Sequence, residues 1–328
     1  MTVSLPLRLA LTLALALPSA LVGAAAPPGS VAAGIHHYSG LCEASAAVAL
    51  DDKHFAVADD ESNDLRIYRV GTRLPVRPPV PLADFLKTTV KGEAKASDLE
   101  AAARVGDTVY WLSSHSLTSA GKSRDWRRRL FATQIDTRTP PPQLMPIGKP
   151  YAGLLDALLA APALKSLGLA EAAELPPEAA GGLNIEGLAA AADGGLLIGF
   201  RNPLVAGKAL LIPLQNPAEL VSARAAPRFA APITLDLGGR GIRSIERTRS
   251  GYLIVAGPTG DAGSFALFKW SGVAADAPVV TRITLPAHFG PEALIVLPGS
   301  DQALLLSDDG ARCDKSSMRF QALSLPLP

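Results

Sequence analysis

One pattern recurs along the chain and narrows its fold more than any other feature. Each copy has a glutamate, a short apolar run, a turn, a second apolar run and then polar residues. The copies read CEASAAVALDDKHFAVADDESN from Cys42, DLEAAARVGDTVYWLSSHS from Asp98 and NIEGLAAAADGGLLIGFRNP from Asn184. They continue with GIRSIERTRSGYLIVAGPTG from Gly241 and GPEALIVLPGSDQALLLSDDG from Gly290. The intervening DD, GD, DGG, SG and GSD are hairpin turns, because these residues tolerate positive φ. A third apolar run follows the second in every copy (DLRIYRV, RRLFATQI, ALLIPL, FALFKW, MRFQALSL), and a fourth in all but the last (PVRPPVPL, PQLMPI, PITLDL, VVTRITL).

Four short antiparallel strands per unit, repeated around a 328-residue chain, specify an all-β fold: a single β-propeller over residues 31–328. Five blades are counted, or six if one degenerate blade escapes the pattern. The fifth copy lacks its own fourth strand, and VAAGIHHYSG near the N-terminus is strand-like and can supply it. Such a ring leaves no exposed sheet edge at its seam. It also brings Cys42, which opens the first inner strand, beside the blade that carries Cys313. In an oxidising compartment their pairing is expected, with two free thiols as the alternative.

Residues 150–182 break the pattern. Leucines at 154, 155, 158 and 159 have helical spacing that Pro162 interrupts, so two short helices are expected, inserted between blades two and three. They are expected to cap one rim, or to serve as a lid or partner surface. Residues 1–25 read as a signal peptide, with Arg8, an apolar core from Leu9 to Leu21 and a small-residue cleavage site at Val22-Gly23-Ala24. A periplasmic or secreted protein with no membrane anchor after cleavage is the expectation. Removing Arg8 leaves acidic and basic residues equal in number, which argues against nucleic acid as a partner.

In a propeller, the starts of the inner strands and the ends of the returning strands share one face. The repeats therefore bring Glu43, Glu100, Glu186, Glu246 and Glu292 to one channel mouth, with Asp59, Asp60, Ser114, His115, Arg201, Asn202, Asp308 and Asp309 nearby. A ring of carboxylates raises its own pKa values unless cations intervene. Three outcomes are open: Ca²⁺ bound by carboxylates and carbonyls, internal neutralisation by Arg128, Arg201, Arg240 and Arg243, or glutamates that merely tie down loop amides. In the first, Glu43, Glu186, Glu292 and Asp308 are the metal ligands and Glu100 stands near the cation. In the second, Arg128, Arg201, Asn202, Arg243 and Glu246 meet a small or anionic ligand. His115, with Glu100, is the candidate acid or base.

Ser114 and His115 are neighbours in sequence, so in a strand they face opposite ways and make no nucleophile–base pair. No G-x-S-x-G elbow, P-loop, G-x-G-x-x-G or zinc spacing occurs.

The segments DLEAAARVGDTVYWLSSHSLTSAGKSRDWRRRLFA, GGLNIEGLAAAADGGLLIGFRNPLVAGKALLIPLQNP, LDLGGRGIRSIE and GYLIVAGP resemble the bacterial family DUF3616, from about Gly40 to Ser324. Where that family commonly has glycine after the second glutamate, this chain has Ala101. The resemblance implies an exported, propeller-like protein with no established reaction. The glutamate-led repeats are also similar, in architecture alone, to exported propeller hydrolases such as phytase-like esterases and calcium-dependent lactonases. The expected function is binding of a small or anionic ligand at the mouth, with metal-dependent hydrolysis of an ester, lactone or phosphoester if it is an enzyme; a non-catalytic ligand- or protein-binding scaffold is the alternative.

Overall fold

The computed structural model describes Met1 and residues 34–314 and 316–327. The leader expected over residues 1–25 lies almost wholly outside them. Among the described residues, no helix is long and apolar enough to cross a membrane.

Five four-stranded antiparallel sheets follow one another around a ring. Blade one runs Ala46–Ala49, His54–Ala58, Asp64–Arg69 and Val80–Pro81, from inside to outside. Blade two is Leu99–Val105, Thr108–Ser113, Leu130–Asp136 and Gln143–Tyr151, and blade three is Asn184–Ala190, Leu196–Asn202, Ala209–Leu214 and Ile233–Leu235. Blade four is Gly241–Thr248, Gly251–Gly257, Ala266–Trp270 and Val279–Val280. Blade five takes Pro291–Val296, Gln302–Ser307 and Arg319–Pro326 from the C-terminus and closes with Ile35–Ser39 from the N-terminus. The closing pair is antiparallel, in register from Ile35↔Leu323 to Ser39↔Arg319.

Packing accounts for the ring. The strands are apolar on both faces because each sheet is covered by a neighbour on either side, so the inner strands read as near-continuous apolar runs. Five hydrophobic clusters result, one in each gap between neighbouring blades. The gap between blades five and one holds Tyr38, Phe55, Tyr68 and Phe320, with Tyr38 and Phe320 stacked at 5.3 Å and Tyr38 edge-on to Phe55 at 5.2 Å. Each such side chain buried outright contributes roughly 1.5–3 kcal/mol, so the seam is as well packed as the other gaps.

One gap is unusually tight. Gly187 and Gly199 face each other across blade three, and Ile242 of blade four presses on both. A Cβ on Gly187 would lie 2.7 Å from Ile242 Cγ2, and one on Gly199 would lie 2.9 Å from it. The paired glycines thus let the inner strands of blades three and four approach closely, which sets Arg243 against Glu186.

Cys42 and Cys313 form a disulfide, with Cα atoms 5.5 Å apart and 271 residues of separation. It sits where the lead into blade one is stitched to blade five: Asp309 N donates to Cys42 O at 3.1 Å, and Ala44 N to Ser307 O at 3.3 Å. The insertion between blades two and three contains a helix over Leu154–Ala160, a 3₁₀ segment over Pro162–Leu167 and a short helix over Leu169–Ala172. Its leucines 154, 155, 158, 164 and 169 are buried in the cluster shared by those two blades.

Candidate functional site: the acidic channel mouth

The inner strands do not simply begin with a polar residue; four of them bulge at one. In blade two the pairing steps from Leu99↔Ser113 to Ala101↔Leu112, leaving Glu100 unpaired. Blade three steps from Ile185↔Phe200 to Gly187↔Gly199 and skips Glu186. Blade four skips Arg243 between Ile242↔Ala256 and Ser244↔Val255, and blade five skips Glu292 between Pro291↔Ser307 and Ala293↔Leu306. A bulge bends the strand and re-aims the extra side chain, here into the channel. A small residue follows each one: Ala101, Gly187, Ser244 and Ala293. Arg201 is passed over in the same way on the returning strand of blade three, between Asn184↔Asn202 and Ile185↔Phe200. In blade one Ser45 stands just before the inner strand and lines the same space.

These residues line a cavity of about 600 Å³ together with Glu43, Asp60, Asp98 and Asp308. Pro177 and Glu178 of the insertion, and Pro258, Gly260 and Asp261 after blade four's second strand, form its rim. Asn202 is buried, and its amide donates to Pro177 O at 2.9 Å and Ala179 O at 2.7 Å, fastening the insertion over the mouth.

Each of the three guanidiniums in the mouth is already committed. Arg201 Nη1 donates to Glu186 Oε1 at 3.0 Å and Nη2 to Gly260 O at 2.8 Å. Arg243 Nη2 donates to Glu292 Oε1 at 2.6 Å, while its Nε lies 3.0 Å from Glu186 Oε2 without hydrogen-bond alignment. Arg243 also sits over the Phe265 ring, 5.9 Å from its centroid. Arg127 pairs with Asp98, which also accepts from Ser114 Oγ, and Arg127 Nη2 donates to Ser116 Oγ at 2.9 Å. Asp98 adopts a left-handed backbone, φ 58°, a conformation that costs a non-glycine residue energy and tends to persist at functional sites.

Glu100 is left over. It is buried, lies among carboxylates, and among the described residues makes no hydrogen bond or ion pair. Burial, with Asp98, Glu186, Asp60 and Glu292 adding repulsion, pushes its pKa well above the usual carboxylate range. Burial raises Glu292 as well, with Arg243 opposing it. Glu43 is pushed up to about 10, first by its contact with the Asp60 carboxyl and then by burial. Asp98 rises to about 7 through burial, against the pull of Arg127 and Ser114. The mouth therefore carries more carboxylates than its arginines can neutralise.

The structure brings together Glu43, Glu100, Glu186, Arg201, Arg243, Glu292 and Asp308, and sets five other expected site residues apart. Glu246 belongs to a cavity with Arg104 and Arg247. The bulge places Arg243 at blade four's mouth position, so Glu246 falls three residues further along the strand. His115 is fully buried behind the wall, with φ 59° and its Nδ1 2.8 Å from Ser113 O; burial lowers its pKa to about 4. It is no acid or base for the mouth. Arg128 points to Ser123 Oγ at 3.1 Å: the 3₁₀ turn Asp125–Arg127 makes Arg127 the arginine that reaches inward. Asn202 holds the insertion rather than lining the cavity. Arg240 likewise bonds the loop at Ser264.

Sequence reasoning missed Asp98 and Asn184, and of the arginines in RDWRRRL it chose Arg128 where Arg127 reaches the mouth. Asn184 is 4% exposed, donates to Glu186 Oε1 at 2.8 Å and lines the mouth. Lining up the residues after each Leu, Ile or Pro in LEA, IEG, IRS and PEA would have found Arg243's position, and Asn184 two residues ahead of Glu186.

Among solved structures, the chain is similar to glutaminyl cyclase of Myxococcus xanthus, at 14% identity and a TM-score of 0.43, covering 90% of this chain and 96% of that one. It is also similar to the PQQ-bound form of aldose sugar dehydrogenase from Streptomyces coelicolor, at 14% identity and a TM-score of 0.42, covering 92% and 100%. Among curated proteins no match is found. Residues 153–298, from the insertion through blade four to the first strand of blade five, match the family described as "Protein of unknown function (DUF3616)". That match covers somewhat less than half of this five-bladed propeller.

Proposed function

We propose that the mouth binds a divalent cation, Ca²⁺ by the nature of its donors, and that the bound cation receives a small ligand bearing an oxyanion. The observation that carries this reading is Glu100, a buried carboxylate facing other carboxylates and joined to no guanidinium by an ion pair or hydrogen bond among the described residues. One of its oxygens lies within 4.8 Å of one oxygen each of Glu186 and Glu292, a span that one ion with oxygen ligands at about 2.3–2.6 Å can bridge. The donor set is all oxygen, which suits a hard cation and disfavours zinc or copper. An anion bound directly by arginine is the weaker reading, because Arg127, Arg201 and Arg243 are each occupied by a carboxylate.

A cation in this position supplies electrophilic polarisation of a bound carbonyl or phosphoryl oxygen and lowers the pKa of a bound water. Hydrolysis of an ester, lactone or phosphoester is the second reading. It is favoured by Glu43, whose pKa is held high by its contact with the Asp60 carboxyl and by burial, and which stands at the mouth as a donor to a leaving group. The disulfide and the apolar N-terminal sequence support placement in an oxidising compartment outside the cytoplasm. Extracellular calcium modules work at a Kd of about 10⁻⁴–10⁻³ M.

Calorimetric titration with CaCl₂ tests the reading. Saturable binding by the wild type, abolished in Glu100→Gln, is expected. An absence of both heat and thermal shift at millimolar calcium would sink it.

A further inference from the structure

We infer that the mouth holds two cations, not one, and that Glu100 bridges them. This rests on the cation reading above and extends it. Oxygens of Asp60, Asp98 and Glu100 lie within 4.8 Å of one another, and so do oxygens of Glu100, Glu186 and Glu292. Among the described residues these are two sets and not one cluster of five, and Glu100 is common to both. A carboxylate has two oxygens and can serve one ion with each.

Each set is accompanied by an oxygen that lacks a partner. Beside the second stands Asn184, 4% exposed, whose amide nitrogen is spent on Glu186 Oε1 at 2.8 Å while its Oδ1 is buried with no hydrogen bond. Leaving a buried amide oxygen unpaired forfeits its hydration without return, and a cation in the adjoining cavity satisfies it. In the first set Asp60 Oδ1 is buried without a hydrogen bond, while the carboxyl that bears it meets that of Glu43.

Charge gives a further argument. Leaving aside the rim residues Glu178 and Asp261, seven carboxylates share the cavity with three guanidiniums. Even with Glu43 neutral, the other six carboxylates exceed the three guanidiniums by three negative charges when ionised, more than one divalent ion neutralises. Two ions held by a shared carboxylate also present paired electrophiles to a single oxyanion, the arrangement that clamps both ends of a displacement at phosphorus or an acyl carbon.

The test is equilibrium dialysis of the full chain against CaCl₂, with bound calcium counted by atomic emission. Two ions per chain are expected in the wild type, and one each in Asp60→Asn and Glu292→Gln. Circular dichroism checks that both variants are folded. One ion in the wild type overturns the two-cation inference and leaves the single-cation reading standing. None overturns both. The wild-type count decides the matter even if a variant fails to fold.

Discussion

Arg243 of blade four donates to Glu292 of blade five at 2.6 Å, and both side chains are more than nine-tenths buried. The same guanidinium lies 3.0 Å from Glu186 of blade three, so one residue ties three blades together at the mouth. Removing one partner of a buried ion pair strands the other charges and costs about 3–5 kcal/mol. Arg243→Met should therefore destabilise the protein by that amount in urea unfolding, with the loss smaller in acid, where Glu292, whose pKa burial raises, takes up a proton. A loss well under 1 kcal/mol at neutral pH, on the scale of a surface ion pair, would show that these charges are not buried as described.

The mouth also predicts how stability depends on pH. A carboxyl whose pKa is higher in the folded state holds its proton there after the unfolded chain has lost it. Its contribution is complete below the unfolded value and is lost as pH rises through the folded one. For Glu43 the window runs from 4.5 to about 10, and for Asp98 from 3.8 to about 7. In a chelator the melting temperature should fall steadily from about pH 5 to about pH 8, and added calcium should restore more of it at the higher pH. A melting temperature that rises over that range in chelator would contradict the account.

Much of this architecture is legible in the residues. The glutamate-led hairpins count the blades, and the absence of a fourth strand after MRFQALSL, with IHHYS waiting near the N-terminus, announces the closure and places Cys42 beside Cys313. What the residues conceal is local backbone geometry. In GIRSIE the glutamate looks like the repeat's own, yet a bulge gives its place to Arg243. Asp98 reaches the mouth through a left-handed φ, which no periodicity encodes. A 3₁₀ turn in RDWRRR exchanges the inward roles of Arg127 and Arg128. His115 looks like chemistry because it is polar and follows two serines, but the chain turns there and buries it.

The glycine pair of blade three makes a packing prediction. Gly187→Ala puts a methyl group 2.7 Å from Ile242 Cγ2 and 3.0 Å from the Gly199 backbone. Overpacking of this kind costs about 1–3 kcal/mol, and it pushes blade four outward, so Arg243 should lose its hold on Glu186 and calcium affinity should change with stability. Combining it with Ile242→Ala should cost less than the two single changes together, as a double-mutant cycle in chemical denaturation will show. Strict additivity would mean that the two residues do not meet.

The disulfide fastens a ring that strand pairing already closes. Cys42→Ser with Cys313→Ser should lower the unfolding free energy by about 2–5 kcal/mol, while Ile35–Ser39 stays paired with the last strand. Hydrogen exchange at the amides of that strand reads the second point. Protection lost there under native conditions would show that the disulfide, not the pairing, closes the ring.

The central claim is that Glu100 is a cation ligand. Its most direct test is anomalous diffraction from crystals grown in calcium. The account predicts a calcium peak in the channel mouth within about 2.3–2.6 Å of a Glu100 carboxylate oxygen, and the two-cation inference predicts a second peak on the other side of the same carboxylate. A mouth filled only with water at saturating calcium would contradict it.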